Sequence, residues 1–315
     1  MTPKRGPHDV GGLTAKTLDT GDAEMSAWQK QANAMRLVLV GAEEPIVTLD
    51  ELRRAAEDLA DDYHRMEYFE RTTEALRLVL IERGVFEAGA LDDCVGEIAR
   101  REKETPHVEL THPTRHAVSY QDDEEPDESA FVSLAIQELL IEMGVLDAAR
   151  VHAMIEVIDT RSTGTEGARV IARAWIDPDF KTRLLDDGSA ACAELGYNLG
   201  DLELVVVENT PVAHNVVVCT LCSCYPRHLL GMPPHWYKSR SYRARCVIEP
   251  RHVLAEFGTH IGDDVTVRVH DSNADLRYLV LPERPAGTEG WSEDRLATLV
   301  TRDCMIGVRF PGNPQ

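Results

Sequence analysis

The sequence predicts an α+β fold. A helical N-terminal part is followed by an acidic connection and then by a second part, in which helices pack on strands around a metal-binding loop. Three observations carry this reading. Segments of helical period fill the first hundred or so residues. Short valine-rich runs arrive only after residue 200, and helices and strands then follow one another without strict alternation. Between two of these later segments, Cys219, Cys222 and Cys224 fall in the spacing Cys-x-x-Cys-x-Cys.

Composition narrows the possibilities. The chain of 315 residues has 28% charged and 43% hydrophobic residues, the balance of an ordinary globular protein of about two domains. Its formal charge of −21 argues against nucleic acid or an anionic membrane surface as partner. An anionic substrate therefore needs local positive charge to draw it in. The longest apolar runs, such as Val205–Val207 and Val216–Val218, are far too short to span a bilayer, and no signal segment opens the chain. Seven cysteines, three of them clustered, do not form a secreted disulfide framework. These features place the protein in the cytoplasm. No internal repeat is expected.

We divide the chain at residues 1–104, 105–128 and 129–315. Residues 1–22 read as loop, with His8-Asp9-Val10-Gly11-Gly12 as a glycine turn. A helix runs from Glu24 to Val40, with Met25, Trp28, Ala32, Met35 and Leu39 on one face. Thr48 and Glu51 form a capping box for the next helix, which turns Leu52, Ala55, Ala56 and Leu59 inward and also carries Arg53 and Arg54. A single helix is expected from Asp62 to Arg83, stopped by Gly84, then a short one from Leu91 to Arg100. Residues 105–128 form the linker, with prolines and the acidic run Asp122–Asp127. The second part opens with helices at Ala130–Met143, Ala148–Asp159 and Gly167–Ile176, and another from Asp177-Pro178 to near Gly188. Strands follow at Leu202–Glu208 and Asn215–Cys219, helices at Trp236–Val247 and Arg251–Phe257, and strands at Val265–His270 and Leu276–Leu281. Ser292 caps a last helix.

Soft sulfur ligands at this density suggest a transition metal. Zinc ordinarily takes four side-chain ligands, often as two separated pairs, whereas Cys94, Cys192, Cys246 and Cys304 are scattered and read as small buried hydrophobes. On spacing alone, a zinc site, half of an iron–sulfur site or a chance cluster compete with a different arrangement. There, three sulfurs join two deprotonated backbone nitrogens of the Cys-Ser-Cys turn and leave a sixth position open.

The stretch Cys219-Thr220-Leu221-Cys222-Ser223-Cys224 resembles the metal-claw loop of the nitrile hydratase α-subunit and of the corresponding thiocyanate hydrolase subunit. The resemblance runs from about residue 128 to 310. It includes Val205–Thr210, Pro233–Ser239, Tyr242–Arg245, Leu281–Thr288 and Leu299–Asp303. The first part is similar to the N-terminal half of the β-subunit, through His8–Gly12, Asp50–Arg53 and Tyr68–Glu70. The chain thus reads as a β-like piece fused ahead of an α-like piece.

This resemblance implies a ligand set of Cys219, Cys222 and Cys224 with the backbone nitrogens of Ser223 and Cys224. It implies that Cys222 is oxidised to a sulfinate and Cys224 to a sulfenate, both steps on the oxidation ladder of cysteine. Thr220 points to non-corrin Co(III) rather than iron. Arg53 corresponds to an arginine that binds the oxidised cysteines, against a plain reading of Arg53 and Arg54 as a solvated helix face. Tyr68 corresponds to a pocket tyrosine, against a core-edge residue. Cys224, Arg53 and Tyr68 are thus the expected catalytic residues, with Arg227 and Arg54 for substrate. Nitrile hydratases carry Trp where this chain has Arg227, and thiocyanate hydrolases resemble it there. The family's pocket glutamine aligns near Gly200, and no stretch after Leu110 resembles the β-subunit's C-terminal barrel.

The resemblance therefore implies an oligomeric enzyme working with a separate β-barrel subunit and loaded by an activator protein. Hydrolysis of thiocyanate to carbonyl sulfide and ammonia leads, followed by hydration of a nitrile. A non-catalytic maturation factor is third, disfavoured by the intact claw. His228 and His235 flank the claw as packing or hydrogen-bonding residues, and His214 as a structural one.

Overall fold

The computed structural model describes residues 5–22, 24–104, 128–160, 164–200 and 202–314. Two compact units form, one from Glu24–Val157 and the other from Met1–Ala23 with Ile158–Gln315. The units thus divide the chain elsewhere than the sequence segments at 104 and 129. The predicted linker, apart from residue 128, lies outside the described residues.

In the helical unit, α1 (Ala27–Val40) starts at Ser26, whose hydroxyl accepts from the Gln29 amide while the Gln29 side chain returns to the Ser26 amide. Helix α2 (Leu49–Asp58) starts at Thr48 with the expected Glu51 box. The single helix expected from Asp62 to Arg83 is in fact two pieces, a 3-10 turn at Ala60–His64 and α3 (Tyr68–Glu82). Glu67 makes the break: its backbone is extended, and its amide donates to the Glu70 carboxylate at 2.7 Å. Helix α4 (Ala88–Glu104) outruns its prediction, and α5 (Glu128–Glu142) and α6 (Ala148–Thr160) complete the unit. Helix α5 is apolar nearly all round, from Phe131 and Val132 through Leu134–Ile136 to Leu139–Ile141, so it needs neighbours on several sides. It packs on α1, α3 and α4, which is why it joins the first helices rather than the second part.

The expectation of no internal repeat is wrong. Helices α3 and α5 are 15 residues each; they start at Tyr68 and Glu128, and their successors both start at alanines, Ala88 and Ala148. Their closing residues nearly coincide, Leu80-Ile81-Glu82 before Gly84-Val85 and Leu140-Ile141-Glu142 before Gly144-Val145, while most other paired positions differ. The shared pattern is one of burial and turn geometry.

The second unit holds helices α7 (Thr165–Ile176), α8 (Pro178–Asp186) and α9 (Gly188–Glu194), then strands β1 (Glu203–Glu208) and β2 (Ala213–Val218). Short helices α10 (Arg227–Leu230), α11 (His235–Lys238), α12 (Arg240–Arg245) and α13 (Pro250–Glu256) follow, then β3 (Thr266–Asp271), β4 (Leu276–Leu281), α14 (Glu293–Ala297) and α15 (Arg302–Ile306). The architecture is α+β, as predicted. Strands β1 and β2 are separated by four residues yet do not form a hairpin. Instead β1 pairs in parallel with β4, and β2 in parallel with β3. All six residues of β2 are buried, the two-sided burial of a parallel strand. One core joins Leu204 and Val206, Val216–Val218, and Leu279–Leu281 to Ile171, Phe180 and Trp236. No helix among the described residues is long and apolar enough to cross a membrane.

Candidate metal centre

Strand β2 delivers Cys219 directly: its last residue, Val218, accepts a hydrogen bond from the Ser272 amide at 2.7 Å, and the chain then leaves the sheet. The loop turns back on itself, with the Cys222 amide donating to the Cys219 sulfur at 3.2 Å. Cys219 Sγ lies 3.5 Å from Cys222 Sγ, which lies 3.1 Å from Cys224 Sγ, and all three sulfurs fall within 4.8 Å of one another. None is in a disulfide.

These distances test a metal's fit. With metal–sulfur bonds of about 2.3 Å, sulfurs at right angles stand about 3.3 Å apart, and tetrahedral ones about 3.8 Å. The measured 3.1 and 3.5 Å bracket the right-angle value. Hydrogen bonding to Cys222, together with burial, pushes the Cys219 thiol up to about 11. The adjacent Cys219 and Cys222 thiols, with burial, push Cys224 well above the usual thiol range. Three anionic sulfurs therefore do not coexist here without a cation between them, and binding one releases their protons. The donor set fits a metal held at right angles better than a tetrahedral one.

A shell of distant residues fixes the loop. Asp271, at the end of β3, accepts from both the Thr220 amide at 2.9 Å and the Thr220 hydroxyl at 2.6 Å. Arg243 is only 2% exposed and donates to three carbonyls: Cys219 at 3.2 Å, Thr220 at 2.9 Å and His8 at 2.8 Å. Tyr237 donates to the Cys224 carbonyl at 2.8 Å, and Tyr242 to the Val217 carbonyl at 2.6 Å. Both tyrosines sit in an aromatic cluster with Trp236 and Phe257, packed edge to face. The expected single helix from Trp236 to Val247 is broken at Ser239, whose hydroxyl accepts from the Tyr242 amide and donates to the Trp236 carbonyl. That break makes α11 and α12 separate supports.

The N-terminal segment is the least expected member. The Val10 amide donates to the Thr220 carbonyl at 3.4 Å, and the Gly12 amide to that of Ala244 at 2.9 Å. A side chain at Gly11 would come within 2.9 Å of the Thr220 methyl, so glycine lets the arm lie against the claw. Farther along, the Leu18 amide donates to Glu256, and Arg245 reaches both Glu256 and the Lys16 carbonyl. The glycine pair at 11 and 12 was the only sequence signal for this contact. Tyr237 and Arg243 lie in stretches that resemble the family, but nothing in the sequence tied them to the claw carbonyls, and Asp271, 51 positions from Thr220, gave no signal.

The remaining predicted residues are placed as follows. Ser223 is buried between its cysteines. Arg227 opens α10 half-buried, and its side chain has no hydrogen-bond or ion-pair partner among the described residues. His228 and His235 are exposed. His214 is buried and structural: its Nε2 donates to the Gly307 carbonyl at 2.7 Å and its Nδ1 accepts from Asn209. Gly200 sits in an exposed turn with φ of 66°. Cys192, Cys246 and Cys304 are fully buried as expected, but Cys94 is half-buried, because its thiol lies on the α4–α5 contact beside Glu138. Arg53, Arg54 and Tyr68 belong to the helical unit. There Arg53 pairs with Asp50 at 3.2 Å, Arg54 pairs with Asp58 and Glu82, and Tyr68 stacks edge-on with Phe69.

Comparison with known proteins agrees with this geometry. The family profile "Nitrile hydratase, alpha chain" matches residues 127–309, and "Nitrile hydratase beta subunit, N-terminal" matches residues 4–120. The alpha subunit of a low-molecular-weight cobalt-containing nitrile hydratase from Rhodococcus rhodochrous is 51% identical, over 57% of this chain and 87% of its own length. The gamma subunit of thiocyanate hydrolase from Thiobacillus thioparus is 43% identical, over 60% of this chain and 82% of its own. Among solved structures, a double mutant of the Fe-type nitrile hydratase from Comamonas testosteroni Ni1 is 44% identical with a TM-score of 0.55, over 57% of this chain and 88% of that one. The loop of three cysteines is thus a nitrile hydratase metal claw, and the chain is an enzyme that belongs to the nitrile hydratase family, carrying its alpha-chain and beta N-terminal segments in one polypeptide.

Proposed function

We propose that this chain adds water to a C≡N bond at a cobalt centre held by the claw, and that its substrate is thiocyanate. Cys219, Cys222 and Cys224 would hold the metal with the backbone nitrogens of Ser223 and Cys224, since the Cys222 amide is already engaged with a sulfur. A trivalent ion bound there supplies Lewis acidity toward a nitrile-type nitrogen or water. Cobalt is favoured over iron by Thr220 and by the cobalt-containing Rhodococcus relative.

The observation that carries the substrate assignment is Arg227. In a chain of charge −21, a half-buried guanidinium three residues past Cys224, without a partner among the described residues, is an attractor for a small anion. It holds thiocyanate by charge, whereas a neutral nitrile gains nothing from it. Two waters and thiocyanate then give carbonyl sulfide, ammonia and hydroxide, which balances atoms and charge. Cys224, as the family's sulfenate, would take a proton from water. Arg53 and Arg54 would bind the sulfur oxygens and substrate, and Tyr68 would orient the attacking water.

Nitrile hydration is the second reading. The higher identity, 51% against 43%, lies with a nitrile hydratase subunit. Identity over a whole chain reports the scaffold, and specificity rests on a few pocket residues, so Arg227 outweighs it. A separate β-barrel subunit fits the site. Leu221, inside the claw, stays 40% exposed, so the loop is open to another chain. The protein as purified with its companions is incubated with thiocyanate and with a small nitrile, and carbonyl sulfide and amide are followed. Carbonyl sulfide is the expected product. Amide alone establishes the second reading.

A further inference from the structure

Strand β2 is buried on both faces, yet two polar side chains sit next to each other in it, His214 and Asn215. Such groups are costly in a core unless hydrogen-bonded, and here both are tied. The Asn209 side-chain oxygen accepts from the Asn215 amide at 2.8 Å and from the Asn215 side-chain nitrogen at 3.0 Å. That nitrogen also donates to the Glu208 carbonyl at 2.7 Å. The Asn215 side-chain oxygen accepts from His270 Nε2 at 2.9 Å, across to β3. His214 bonds to Asn209 on one side and to the Gly307 carbonyl on the other. Gly307, at φ of 86°, lets its turn close on the strand, because a side chain there would collide with the Asn215 carbonyl. The knot thus joins the end of β1, the turn after it, β2, β3 and the turn after α15.

The valines that follow do not choose a register for β2. Val216, Val217 and Val218 are equally buried, so turning the strand over puts valine where valine was. The polar pair does choose. Asn215 is level with Arg268 and Val217 with His270, so Asn215 and His270 share one face. A one-residue slip turns Asn215 away from His270 and brings His214 or Val216 to that face. Register matters at the far end of the same two strands. There Val218 is level with Asp271, whose carboxylate grips the Thr220 amide at 2.9 Å and the Thr220 hydroxyl at 2.6 Å. A slip of one residue moves the strand by about 3.3 Å, which breaks both bonds.

We propose that Asn215 is a positioning residue for the metal centre. With Asn209 and His270 it fixes the register of β2 on β3, and so sets Thr220 on Asp271. It acts from four residues before Cys219, about 13 Å along the strand. The inference rests on the claw's architecture and holds for thiocyanate and nitrile alike.

The test reads the loop itself, by amide exchange at Thr220 in the full chain, together with metal per chain and the sulfur-to-metal charge-transfer absorption. Asn215→Val keeps an apolar, strand-favouring side chain, and should speed Thr220 exchange about tenfold and lower metal below about half an equivalent. His270→Val, at a half-buried position, should speed exchange about fivefold. His270→Gln keeps a donor at similar reach and should hold exchange within about twofold of the native rate. Val216→Ala takes packing from the same strand but no member of the knot. It should lower the denaturation midpoint and leave Thr220 exchange within about twofold. In Asp271→Ala the grip is already gone, so adding Asn215→Val should change the exchange less than about twofold. The proposal is overturned if Asn215→Val leaves Thr220 exchange unchanged or speeds it no more than Val216→Ala does. It is equally overturned if His270→Gln behaves as His270→Val, or if the effects of Asn215→Val and Asp271→Ala add in full. Should Asn215→Val not fold, the two His270 variants decide alone.

Discussion

At the scale of residues, the claw divides into groups that meet the metal and groups that hold those groups. Replacing Cys222 with Ala removes the middle sulfur, the one adjacent to both others. Metal content by mass spectrometry should fall below about a tenth of an equivalent per chain, because two sulfurs and backbone no longer match a soft ion's needs. The cysteines were legible in the sequence because ligand chemistry demands short spacing. Arg243 and Asp271 were not. Arg243 lies in a stretch that resembles the family, but nothing in the sequence shows that it is 2% exposed and ties three carbonyls.

Among elements, the short helices α11 and α12 and the arm at residues 6–22 work as clamps. Helices of four and six residues are not stable alone, so their position comes from the aromatic cluster and from Arg243. Arg243→Met would leave the carbonyls of Cys219 and His8 without this donor and that of Thr220 with only the Val10 amide. Each orphaned buried carbonyl costs roughly 1–3 kcal/mol, so the denaturation midpoint should drop sharply and the arm should exchange with solvent faster. Strand β2 makes its own prediction. Burial lowers the affinity of His214 for a proton, and its Nδ1 is occupied as an acceptor. Burial likewise lowers His270 on the paired strand, with a further push from Arg268. Both folded values lie below the unfolded value of about 6.5, so the unfolded chain takes up protons first. Stability should be level above that pH and decline as pH falls below it. His214→Gln should flatten part of the decline in urea titrations at pH 5 to 7. The four strands were legible to within two residues from valine runs and turn residues. Their pairing was not, because the closeness of β1 and β2 in sequence suggests a hairpin that the two-sided burial of β2 rules out.

Across the whole molecule, the order of segments was readable and the packing was not. The beta-like and alpha-like stretches carry distinct motifs, so the fusion is visible in sequence. Which helices cluster depends on α5, whose apolar surface on nearly every side draws it to α1, α3 and α4. The two helical hairpins share their closing residues, while paired buried positions differ in side chain, as with Leu76 and Ile136 or Phe86 and Leu146. Charge acts at this scale too. With 54 acidic against 33 basic residues, the chain repels a small anion at long range, so under the thiocyanate reading Arg227 would have to supply the attraction locally.

The most direct test is the ratio of kcat/KM for thiocyanate to that for a neutral nitrile, measured in the native protein and in Arg227→Gln. A charged hydrogen bond of about 1.5–3 kcal/mol should be lost with the guanidinium, lowering thiocyanate kcat/KM about 10- to 100-fold, mainly through KM, and leaving the nitrile value within about twofold. An equal fall for both substrates, or no change for thiocyanate, would contradict the assignment of Arg227 to an anionic substrate.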